Sequence, residues 1–104
     1  MAEDIFLELN EIFHVKARLG IMTLLISFGK IDFTGLKSKL GLTDGNLGAH
    51  LRVLEEAGYV EIVKGFVGKR PHTSCLVTEL GRSAFRDYLN QLETVINMAR
   101  TEND

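Results

Sequence analysis

Very little in these 104 residues can cross-link. The single cysteine has no second thiol with which to form an internal disulfide, and it cannot by itself build a multi-thiolate metal site. The longest apolar stretch, Leu19 to Phe28, is interrupted by Gly20, Thr23 and Ser27. It falls short of the roughly 20 apolar residues of a membrane span. No Lys or Arg occurs in the first 13 residues, which carry Glu3, Asp4, Glu8 and Glu11, the reverse of a basic leader. The expected compartment is therefore the cytosol. There is no Gly-rich phosphate loop and no two-His metal spacing, and His14, His50 and His72 fall in three different predicted elements. Catalysis finds little support, and no cofactor or metal is expected. The ten glycines are spread without a linker or a repeat. A chain of this length is one domain, with no room for separate cofactor and substrate units.

A large basic excess is missing too, since the net charge is −2. Its distribution is uneven. Residues 14–72 hold nine Lys and Arg against five acids, a net +4, while the two ends together carry −6. Block charge of this kind points to an anionic partner, weakly, because most charge clusters are only solvated faces. What the chain does have is a core's worth of apolar side chains, at 45% of residues, beside 25% charged.

Their periodicity is mostly helical. From Glu3 to Phe13, Ile5, Phe6, Leu9, Ile12 and Phe13 share one helical face with an acidic back. A second helix is predicted from about Val15 to Phe28, with a stripe so wide that it should be central and buried. Asp32 is placed to cap a short helix carrying Phe33, Leu36 and Leu40, which Gly41 would end. Thr43 or Asp44 can cap the next, with Leu47, Leu51 and Leu54 inward and Ala57-Gly58 as its close. Two helices joined by a few residues at a glycine outline a helix-turn-helix. From Tyr59 the pattern turns β-branched and aromatic on either side of Lys64-Gly-Phe-Val-Gly-Lys-Arg-Pro71, which reads as a hairpin. Thr78 can cap a last helix running to about Ala99, long enough to exceed the width of the core before it.

Helix, helix-turn-helix and a hairpin with a basic tip follow the order of a winged helix. The run Leu42-Thr-Asp-Gly-Asn-Leu-Gly-Ala-His-Leu-Arg-Val-Leu-Glu-Glu-Ala-Gly-Tyr-Val60 resembles the recognition helix of MarR-type and ArsR-type transcriptional regulators. Lys64 to Thr73 and Leu76 to Phe85 are similar to the wing and following helix of a compact group of such regulators. The resemblance covers about Phe13 to Leu92. It implies a mainly helical α+β fold, a winged helix-turn-helix core at about 15–78 with dimerisation helices at 3–13 and 79–99. It also implies double-stranded DNA as partner. The metal-thiolate helix of ArsR-type sensors is absent, because the helix carrying Leu36 to Leu40 has no cysteine.

The residues support the same reading physically. An inward face of Leu47, Leu51 and Leu54 turns Asn46, Ala49, His50 and Val53 outward. Asn46 is able to pair with adenine and His50 to donate to a base or phosphate; Arg52 is a further candidate on this helix. Gly45 and Gly48 are costly in an exposed helix, by roughly 1 kcal/mol each relative to Ala. Close approach of another surface would account for them; so would a turn at Asp44-Gly45 and crowding of Gly48 against the preceding helix. Lys64, Lys69, Arg70 and His72 gather within nine residues without an acid, suiting a wing on the phosphates or in the minor groove. A charged edge that discourages aggregation is the plainer account of them. Lys37, Lys39 and Arg18 are weaker phosphate candidates. Ile5, Phe6, Leu9, Phe85, Tyr88, Leu89, Leu92, Val95 and Ile96 are expected at a homodimer interface, since a long amphipathic helix past its core needs a second surface. The alternative is that both end helices fold back onto their own core. Cys75 reads as a small buried hydrophobe. A winged-helix module that contacts protein instead of DNA is the competing function.

Overall fold

Three of the helix starts are set by a side chain that satisfies an amide the helix cannot. Asp32 accepts from Gly35 N at 2.8 Å, Thr43 Oγ1 accepts from Asn46 N at 3.1 Å, and Thr78 Oγ1 accepts from Gly81 N at 2.9 Å. These caps punctuate a computed structural model that describes residues 4–101. The elements are α1 (Asp4–Glu8), α2 (Lys16–Phe28), β1 (Lys30–Asp32), α3 (Phe33–Leu40), α4 (Asp44–Glu56), β2 (Val60–Val67), β3 (Arg70–Val77) and α5 (Glu79–Thr101). Among the two caps open to α4, Thr43 is the one used.

The sheet is antiparallel with order β1-β3-β2. Strand β1, too short to show a period of two, was not legible in the sequence. It pairs Ile31 with Cys75, which puts the cysteine on the middle strand. The core joins Ile21, Met22 and Leu25 of α2, Leu36 of α3, and Leu47, Leu51 and Leu54 of α4 to Val60, Cys75 and Val77 of the sheet. The inward leucine stripe of α4 is as the spacing predicts. Gly41 takes the left-handed conformation, φ 64°, and its amide and that of Leu42 both return to the Lys37 carbonyl, closing α3.

The expected helix over 3–13 is corrected, apart from Glu3, which lies outside the described residues. Helix α1 stops at Glu8, and Asn10 Oδ1 accepts from Ile12 N at 2.9 Å, a local turn that competes with helix. The break frees Phe13 to enter the core. Its ring lies 4.7 Å from that of Tyr59, 5.1 Å from Phe85 and 5.7 Å from Tyr88, with the Phe85 contact edge-to-face. Arg18 Nε donates to the Ile12 carbonyl at 2.7 Å, and the Tyr88 hydroxyl shares a 2.7 Å hydrogen bond with His14 Nδ1. The segment between α1 and α2 is thereby tied to α2 and to α5.

Phe85 and Tyr88 are consequently buried within their own chain, which corrects their expected place at a dimer interface. The first turns of α5 complete the core because Gly81 lets the helix pass against the Tyr59 carbonyl, where a Cβ would collide. Beyond Tyr88, α5 runs on to Thr101 with α1 packed alongside, and the molecule is 59 Å long by 25 and 22 Å.

Candidate nucleic-acid interface

Helix α4 and the β2–β3 hairpin form the two edges of one surface. With about 100° per residue in a helix, the direction opposite Leu47, Leu51 and Leu54 is occupied by Gly45, Ala49 and Glu56, with Arg52 and Val53 to either side. Asn46, Ala49 and Arg52 are exposed; His50 and Val53 are half-buried, His50 nearer the inward edge than the spacing alone suggested. Gly48, Arg52 and Glu55 look toward the wing and, with Ile62 and Lys64, line a cleft of about 430 Å³.

The two glycines have no structural explanation within the fold. Both lie inside α4, neither has positive φ, and a Cβ built on either meets nothing within 4 Å. Gly45 is therefore not a turn residue and Gly48 does not relieve crowding. Crowding of that kind occurs instead at Gly20, whose Cβ would stand 2.7 Å from Leu40 Cδ2.

The hairpin closes tightly. Val67 pairs with Arg70 across a Gly68-Lys69 loop, and positive φ at Gly68 alone, 64°, is the pattern of a type II′ turn. Pro71, expected at the tip, belongs to β3 opposite Phe66. Pairing also divides what the sequence presented as one basic cluster, because strand side chains alternate faces. Lys64 shares the face of Ile62 and Cys75, whereas Arg70 and His72 share the opposite face with Val67. Lys69 stands at the turn between them. Lys64, Lys69 and Arg70 are exposed and His72 is half-buried.

Other candidates are already engaged. Lys37 Nζ pairs with Asp44 at 2.8 Å, neutralising the carboxylate at the start of α4. Arg18 holds the loop before α2, and the Lys39 ammonium sits 5.4 Å from the Phe28 ring centroid. Cys75 is fully buried, and burial, with the Glu55 and Asp32 carboxylates adding less, pushes its thiol up to about 11. It is a protonated core side chain at neutral pH. Among the described residues no group of three or more His, Cys, Asp and Glu is placed to hold a metal ion, and no helix is long and apolar enough to cross a membrane.

A helix-turn-helix whose second helix lies beside a projecting hairpin is a winged helix, and the winged helix DNA-binding domain family matches residues 17–96. The chain belongs to that family. It is also 42% identical over 82 residues to an uncharacterized protein of Methanocaldococcus jannaschii, covering 79% of this chain and 89% of that one. Among solved structures it is similar to a transcriptional regulator homologue from Pyrococcus horikoshii OT3, with a TM-score of 0.82 and 34% identity over 93% of this chain and 94% of that one. A protein described as a transcriptional regulator of the MarR family from Enterococcus faecalis V583 shares the fold, with a TM-score of 0.78 at 22% identity, over 97% of this chain and 90% of that one. The family assignment agrees with the winged-helix order read from residues 42–60, 64–73 and 76–85.

Proposed function

We propose that this winged helix is a cytosolic, dimeric, sequence-specific regulator of transcription that reads double-stranded DNA. The observation that carries the reading is the pair of glycines in α4. A solvated helix gains nothing from them, but a surface without side chains lets the helix backbone approach another surface closely. Their neighbours fit that use. Asn46 and Ala49 offer an amide and a methyl-sized contact to base edges, Arg52 looks toward the wing cleft, and His50 and Val53 stand at the margins. Lys64, Lys69, Arg70 and His72 supply phosphate contacts from both faces of the wing, and Lys37 contributes only by releasing Asp44. With so few base-reading side chains, DNA shape carries much of the specificity.

A two-fold site follows from pairing of chains. The exposed Phe6, Leu89 and Ile96, with Ile5, Leu9, Leu92 and Val95 partly buried beside them, form the surface available to a second copy. Pairing there sets two α4 helices about one DNA turn apart, roughly 34–36 Å.

Selection of bound fragments from random duplex DNA tests this directly, with a two-fold symmetric site as the expected result. On that duplex, Lys69→Ala with Arg70→Ala should flatten the log-log salt dependence by roughly 0.9 for each phosphate that is no longer neutralised. An unchanged slope removes these two residues from phosphate binding. Recovery of no duplex at low salt favours a protein-binding module.

A further inference from the structure

Beyond Ile62 and Cys75 the hairpin leaves the core, and its inner face continues outward as Lys64 and Phe66 on β2 opposite Thr73 and Pro71 on β3. Phe66 is 73% exposed. Nothing in the fold requires an aromatic ring there. The pair beside a two-residue turn exchanges both ladder bonds and the next pair exchanges none, so Phe66 and Pro71 occupy the closer, unbonded pairing. A proline at that position removes no bond from the β2–β3 ladder, and β1 reaches only to Ser74 on the other side. The ring of Phe66 therefore stands on a rigid base at the extremity of the molecule.

Its surroundings are cationic. No carboxylate occurs in the sequence between Glu61 and Glu79; Lys64 shares the face of the ring, Lys69 stands at the turn and Arg70 projects from the opposite face. An apolar side chain framed by positive charge is complementary to a surface that is apolar within and anionic at its rims. The minor groove of duplex DNA has that character, about 6 Å wide, with deoxyribose walls and base edges between two phosphate rows.

We propose that Phe66, backed by Pro71, is an apolar wedge that the wing inserts into the minor groove, with Lys64 and Arg70 directed to the phosphates on either side. This inference rests on the DNA-binding reading and adds to it a contact that carries no charge. The two kinds of contact separate experimentally, because apolar burial does not release counterions.

The probe is a duplex recovered by the wild-type chain from the random pool. Phe66→Ala should weaken binding about tenfold at every salt concentration while leaving the salt slope unchanged. Phe66→Leu should recover most of that affinity, and Lys64→Ala should instead lower the slope by about 0.9. Hydroxyl radicals attack the sugars from the minor groove, so Phe66→Ala should also lose protection at the flanks of the footprint. Because Phe66 lies outside the core, its melting temperature should match wild type. Wild-type affinity or retained flank protection in Phe66→Ala overturns the wedge alone, as does a change of oligomeric state in place of a change in binding. Failure of the wild-type chain to retain any duplex overturns the DNA-binding reading and the wedge with it.

Discussion

At the scale of single residues, glycine separates two duties in this chain. Gly81 is needed by the fold, since a Cβ there meets the Tyr59 backbone carbonyl, whereas Gly45 and Gly48 meet nothing. Filling an empty position on a helix should stabilise it. Gly48→Ala is expected to raise stability by about 1 kcal/mol, seen as a higher melting temperature, and to weaken binding to the selected duplex about tenfold. Opposite signs in the two measurements identify a position kept small for a partner. Equal binding with higher stability would remove Gly48 from the interface. The helical spacing of Leu47, Leu51 and Leu54 revealed which way this helix turns, but it did not reveal that Gly48 is uncrowded. That fact depends on how far α4 stands from the hairpin, a distance no local pattern encodes.

Between elements, the junction of β3 with α5 is held by several contacts at once. Thr78 donates from Oγ1 to the Gly58 carbonyl at 2.6 Å while accepting from Gly81 N, so one hydroxyl caps α5 and fastens it to the end of α4. The Thr78 amide donates to the Tyr59 carbonyl at 3.1 Å, and Gly81 passes against that same carbonyl. Gly81→Ala gains helix propensity yet forces a backbone shift at this junction. It should lower stability by about 1–3 kcal/mol in urea unfolding, as overpacking does. A neutral or stabilised variant would mean that the junction yields without cost. The capping role of Thr78 was legible because a hydroxyl ahead of an apolar-periodic run has a local signature. Its second bond was not, because the Gly58 carbonyl lies 20 residues away.

For the molecule as a whole, the question is what covers the outer half of α5. Its inner half carries Phe85 and Tyr88 into the core, and α1 lies along the rest with Phe6, Val95, Met98 and Ala99 around a cleft of about 290 Å³. Leu89 and Ile96 stay exposed. Ile96→Glu should therefore leave the folded core intact and shift the chain from dimer to monomer in sedimentation, with DNA affinity falling because one half-site is no longer tethered to the other. A variant that sediments as wild type would place the pairing surface elsewhere.

The sequence by itself determined the order of the main elements, the helix starts at Asp32, at Thr43 or Asp44, and at Thr78, the leucine face of α4 and the hairpin. Each of these is written within a few residues, as a spacing or a capping side chain. It also carried the winged-helix resemblance that the family match bears out. Tertiary structure decided the rest. Phe13 leaves a helix-compatible pattern because three aromatic rings are there to receive it. Phe85 and Tyr88, periodic with the exposed residues of α5, become core because the helix begins against the sheet and ends beyond it. The register of β2 with β3 splits a run of basic residues into two faces and sets Phe66 on the face of Lys64. Periodicity tells a side chain which way to point, and only the packing of one element on another decides what stands in front of it.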